Sequence, residues 1–125
     1  MLTSPASTSS GKQLQFPLSK GQRAFDFERS TNEHIRELLH YYGLRTSLIR
    51  IKVIDALLVA AREGRAVGGR GVHGYLQAFV SGIQFISVRE VLKRLCEEGV
   101  IVFQPDKSYR FTGEAYALLE QHADR

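Results

Sequence analysis

The chain has 125 residues, 43% of them hydrophobic, and a net charge of +4, which suits one globular domain and leaves little chain for a second. It contains no run of about 18 apolar residues, and Met1 to Lys20 lacks the apolar stretch of a secretory signal. The expectation is a cytoplasmic protein with no membrane partner, and the single cysteine, Cys96, has no internal disulfide partner.

Residues 1–22 are rich in Ser, Thr, Pro, Gly and Gln and show no apolar period, so they are expected to form a flexible N-terminal arm ahead of a domain spanning 23–125. Lys12, Lys20 and Arg23 could brush a phosphate backbone, but an inert tail is the simpler reading. The first helix is expected near Ser30 or Thr31, where Ser30 and Glu33 have capping-box spacing. Its stripe is Ile35, Leu38, Leu39 and Tyr42, and Gly43 ends it. A second helix follows Thr46 or Ser47, with Leu48, Ile51, Ile54, Leu57, Leu58 and Ala61 as its buried face and Gly64 as its stop.

The glycines from Gly68 to Gly71, with Arg70, suit a surface loop. A short third helix is expected on the spacing of Val72, Leu76 and Phe79, and Ser81 to Gln84 form the turn after it. The most informative stretch is Phe85 to Ile101. Val88, Val91, Leu92 and Leu95 make an apolar stripe, Ser87 and Glu90 have capping-box spacing, and Gly99 follows as a C′ glycine. Arg89, Lys93 and Arg94 project from the other face. Val100–Phe103 and Tyr109–Phe111 flank Gln104-Pro105-Asp106-Lys107, which predicts a β-hairpin with Pro105 second in a type I turn. Thr112 can cap a last helix that turns Ala115, Leu118 and Leu119 inward.

The expected fold is therefore mainly α with a small β-hairpin, a winged helix-turn-helix in the order α-α-α-α-β-β-α. Charge agrees with a polyanionic partner: residues 43–112 hold eleven Lys/Arg against six Asp/Glu. In such a fold Ser87, Arg89, Lys93 and Arg94 would meet the major groove, while Arg50, Lys52, Lys107 and Arg110 would meet phosphates. The plain alternative is a solvated helix face held by Glu90, Glu97 and Glu98 through i,i+4 pairs.

Other chemistry has little support. The glycine cluster lacks the Lys-Ser/Thr ending of a phosphate loop, and no catalytic constellation is legible, so no enzyme activity is expected. His34, His40, His73 and His122 are scattered without metal-ligand spacing, and neither metal nor cofactor is expected. Cys96 adjoins the buried stripe as a packing residue, with a redox role as a weaker alternative.

Gly43-Leu44-Arg45-Thr46-Ser47-Leu48-Ile49-Arg50-Ile51 resembles the start of the DNA-binding domain of ferric uptake regulator proteins. Ser87-Val88-Arg89-Glu90-Val91-Leu92 resembles that family's recognition helix, and Glu98-Gly99-Val100-Ile101 its turn into the wing; the resemblance covers roughly residues 31–112. Arg89 and Glu90 stand where the family has its tyrosine and arginine. No counterpart of the family's metal-binding dimerisation domain is present in the sequence. The resemblance implies the DNA-binding half without the metal sensor. The function expected is a transcriptional regulator binding double-stranded DNA, with a homodimer joined through its terminal helices as the expected assembly. The competing reading is a winged-helix adaptor that binds protein and has no sequence-specific hold on DNA.

Overall fold

The computed structural model describes residues 20–123, with side chains described from 31 to 120. Five helices and one hairpin follow in the order α1 (Lys20–Tyr41), α2 (Leu48–Arg62), α3 (Gly69–Leu76), α4 (Phe85–Glu97), β1 (Ile101–Phe103), β2 (Tyr109–Phe111) and α5 (Gly113–Ala123). The chain is thus mainly α with a small antiparallel hairpin, as expected. The proposed arm lies outside the described residues, except that its last three residues belong to α1.

α1 starts ten residues before the expected capping box, so Ser30 and Glu33 lie inside the helix. No proline interrupts Lys20–Ser30, and Thr31 is buried, which a solvent-facing start to the helix would not permit. Ile35, Leu38 and Leu39 form its fully buried stripe.

α2 is the centre of the molecule, packed by α1, α3, α4 and β2. Ser47 caps it as expected: the residue is extended and its Oγ accepts from Arg50 N at 3.2 Å. Being enclosed, the helix buries Val53, Ala56 and Ala60 in addition to Ile51, Ile54, Leu57 and Leu58. Two expected core positions are not in it. Leu48, in the first turn, is 57% exposed, and Ala61, in the last turn, is exposed at the rim of a cavity that Phe111 and Tyr116 also line.

The glycine cluster does not form a surface loop. Gly68 is the N-cap of α3 and Gly69 to Gly71 make its first turn. The helix ends at Leu76, so Phe79, expected on its buried face, is exposed in the following turn.

α4 also begins earlier than its sequence suggests. Gln84 is the N-cap, without a side-chain cap bond, and Ser87 is a half-buried residue of the first turn. The cause is Phe85, whose ring meets His73 edge-on at 5.7 Å and lies under the Arg70 guanidinium at 5.0 Å. An N-cap bond contributes about 1 kcal/mol; the two ring contacts, each worth about 0.5–1.5 kcal/mol, together outweigh it and hold Phe85 inside the helix. The other end behaves as expected. Gly99 takes φ +85°, Gly99 N donates to Cys96 O and Val100 N to Leu95 O, which closes the helix and turns the chain into β1.

In the hairpin Ile101 pairs with Phe111, Val102 with Arg110 and Phe103 with Tyr109. Lys107 N donates to Gln104 O at 2.8 Å, placing Pro105 second in the turn, and Asp106 Oδ1 accepts from both Ser108 N and Ser108 Oγ. The outer edge of β2 is held by one further bond, from Tyr109 N to Val67 O at 2.9 Å. This bridge fixes the hairpin to the segment that leads into α3. Thr112 caps α5, accepting from Ala115 N while donating to Gly99 O. α5 then packs against α1, where Tyr41 Oη donates to Glu114 at 2.6 Å. No helix among the described residues is long and apolar enough to cross a membrane.

Candidate nucleic-acid interface

α4 buries Val88, Leu92 and Leu95 and leaves Arg89, Glu90, Lys93 and Arg94 exposed, the distribution that a 3.6-residue period requires. Its position is set from behind by α3: His73 Nε2 donates to Ile83 O at 2.9 Å, tying the middle of α3 to the link before α4. β1 packs along its flank.

Two grooves run beside this face. One, of about 320 Å³, lies between α2 and α4 and is lined by Arg50, Glu90, Val91, Lys93, Arg94 and Glu97. The other, of about 370 Å³, lies between α4 and the hairpin, with Ile86, Arg89, Glu90, Lys93, Phe103 and Tyr109 on its walls and Cys96 among them. Glu90 and Lys93 border both and so form the ridge between them.

The structure brings together Arg50, Arg89, Lys93 and Arg94. Arg50 is steadied by a bond from its guanidinium to Arg45 O at 2.8 Å. Arg94 pairs with Glu98 at 3.2 Å, an exposed i,i+4 contact worth about 0.3–0.5 kcal/mol and easily exchanged for a phosphate. Ser87 stays on the same helix but is half-buried.

Lys52 does not join them. It is only 7% exposed, and its ammonium sits 4.1 Å from the centre of the Phe79 ring, at the far end of α3. Its burial on that side of α2 withdraws it from the α4 face. Lys107 is exposed at the hairpin tip in a left-handed conformation, φ 69°. Arg110 is exposed too, but alternation along β2 puts it with Val102 on the side opposite Phe103 and Tyr109. It lines a separate cavity of about 590 Å³ with Arg65, Asp106 and Tyr116.

The family model described as uncharacterised conserved protein UCP029502 matches residues 30–125, which takes in the second half of α1 and everything after it. The chain belongs to that family. No curated protein and no solved structure matches it.

The matched region contains every cation of the α4 face and both strands of the hairpin. It also contains features that charge alone did not signal. Ile86 and Phe103 are 54% and 56% exposed, and the Phe103 ring lies 4.9 Å from that of Tyr109. The sequence carried no signal for this, since Val100 to Phe103 is uniformly apolar and only the short β1, starting at buried Ile101, carries Phe103 beyond the core. Burial raises the pKa of Tyr109, helped by the charge of Cys96 and opposed by Arg89. Burial likewise raises the Cys96 thiol, with Glu97 adding to it, so the groove presents a thiol rather than a thiolate at neutral pH. Among the described residues, no group of three or more His, Cys, Asp or Glu is placed to hold a metal ion.

Proposed function

We propose that this chain binds duplex DNA as a winged helix-turn-helix regulator of transcription, with α4 in the major groove. The observation that carries the reading is the α4 face. Arg89, Lys93 and Arg94 stand exposed on one helix, Arg50 of α2 adjoins them across a shallow groove, and a hairpin flanks the other side. A helix of this kind fits the major groove, where cations meet phosphates and base edges. The bridge from Val67 to β2 supports the winged form, because it fixes the hairpin beside α4. The likeness to the DNA-binding half of ferric uptake regulators belongs to this proposal, as does a homodimer on a two-fold site joined through α1 and α5.

Roles follow from placement. Arg89, Lys93 and Arg94 read or clamp the groove, Arg50 holds a phosphate beside them, and Lys107 reaches backbone from the hairpin tip. Glu90, on the ridge between the grooves, either accepts from a base amino group or orients its neighbouring arginine.

The test is a salt titration of binding to duplex DNA. Log Kd should rise linearly with log salt concentration, and replacing Arg89 and Lys93 together by Ala should lower that slope by about 2, close to one for each phosphate no longer neutralised. Absence of binding at low salt, or a slope unaffected by the double substitution, refutes the proposal.

A further inference from the structure

The groove between α4 and the hairpin offers a ligand more than the cations that a duplex backbone requires. A recognition helix needs cations and hydrogen-bonding groups at its surface, yet this groove places Ile86 and the Phe103–Tyr109 ring pair beside Arg89 and Lys93. Phe103 leaves more than half of its surface in water although buried Ile101 lies on the same short strand. Exposed large apolar groups that gather at one place mark a binding surface. In an intact helix the faces of the bases are covered by their neighbours, so an aromatic ring gains little from them. An unpaired base has both faces free, and stacking on an aromatic side chain beside a cation is how single strands are held.

Resting on the DNA-binding reading above, we propose that this groove takes an unpaired nucleotide. Its base stacks on Phe103 and its phosphate is neutralised by Arg89 and Lys93, so the preferred ligand is duplex DNA that opens into single strands. Charge complementarity favours a nucleotide over an apolar peptide, since the groove carries two cations against the single carboxylate of Glu90. The hairpin register supports a platform, because Phe103 faces Tyr109 directly across the strands and the second ring supports the first.

The experiment uses the full chain and three labelled DNAs of equal nucleotide count: blunt duplex, a fork with two unpaired arms, and single strand. Binding is followed by fluorescence anisotropy at low salt. The fork should bind about ten-fold tighter than blunt duplex, within the range expected of one stacked base. Phe103→Ala should bring that ratio close to one, while Phe103→Trp should keep it and show fluorescence quenching when the fork is added. Equal affinity of the unmodified chain for fork and duplex, with salt-dependent binding to both, overturns this inference and leaves the regulator reading intact. Binding to none of the three removes the reading on which it rests, and the inference with it. No quenching of the Phe103→Trp variant by the fork likewise overturns the inference.

Discussion

Gly68→Ala is a small change with a large expected effect, because it falls where the hairpin touches the start of α3. A Cβ built on Gly68 lies 2.8 Å from the carbonyl oxygen of Lys107, a backbone atom that cannot swing aside as a side-chain end can. The opposing segment is also held in place, by the bond from Tyr109 N to Val67 O one residue before Gly68. The backbone itself at Gly68 is extended, φ −107°, so Ala costs nothing in conformation and the penalty is contact alone. Overpacking of this kind costs about 1–3 kcal/mol, and losing the preference for Gly over Ala at an N-cap adds to it. The lower entropy of the unfolded alanine chain returns about 0.4–1 kcal/mol. A net loss of about 1–2 kcal/mol remains, near 5–10 °C in Tm for a domain of about 100 residues. The internal control is Gly74→Ala, in the middle of α3 with nothing within 4 Å of its new Cβ, which should stabilise by about 0.5–1 kcal/mol. Thermal and urea unfolding followed by circular dichroism measure both. Equal shifts for the two variants refute the claim that the hairpin backbone is clamped on α3.

The hairpin turn is expected to be acid-sensitive. Hydrogen bonds from the Ser108 side chain and backbone lower the pKa of Asp106, so the stability the turn gains is present above the ordinary aspartate value and lost as pH falls through the lower folded value. The protection of the Ser108 amide against hydrogen exchange, taken relative to the intrinsic rate at each pH, should therefore fall in acid, and Asp106→Ala should remove that pH dependence. On α2, Arg50→Ala should lower the salt slope of DNA binding by about 1 whereas Lys52→Met leaves it unchanged, and equal losses would contradict the placement of the two side chains.

How far the fold was legible depended on whether a local signal had a stronger competitor. Ser47 and Thr112 cap their helices as their positions suggest, since each precedes an apolar run and has nothing behind it that could extend the helix. Ser30 and Ser87 carry capping-box spacing equally well, yet both stand inside their helices rather than at the N-cap. Behind Ser30 stand residues that continue a helix, and behind Ser87 stands Phe85, whose contacts with His73 and Arg70 exceed what a cap supplies. Those contacts join residues twelve and fifteen positions apart, so no local window contains them. The turn at Pro105 was legible because every bond that closes it lies within five residues.

The same distinction explains the candidate site. Arg89, Lys93 and Arg94 follow from the period of one helix, and periodicity is local. The Phe103 ring is different, because Ile101-Val102-Phe103 looks uniformly core-forming, and only the place where the strand leaves the body decides which residue emerges. Lys52 is the instructive case, since the sequence alone separates it in direction from Arg50 and the structure decides which of the two meets α4. Successive residues turn by about 100° around a helix, which sets Arg50 and Lys52 about 200° apart, so a single neighbour cannot face both. Given that Arg50 borders α4, Lys52 had to point elsewhere, and on a helix enclosed by four elements that direction is inward. Its aliphatic stem tolerates the core and its ammonium emerges at Phe79, so a basic residue in a basic segment serves packing while its neighbour two places earlier borders the groove beside α4.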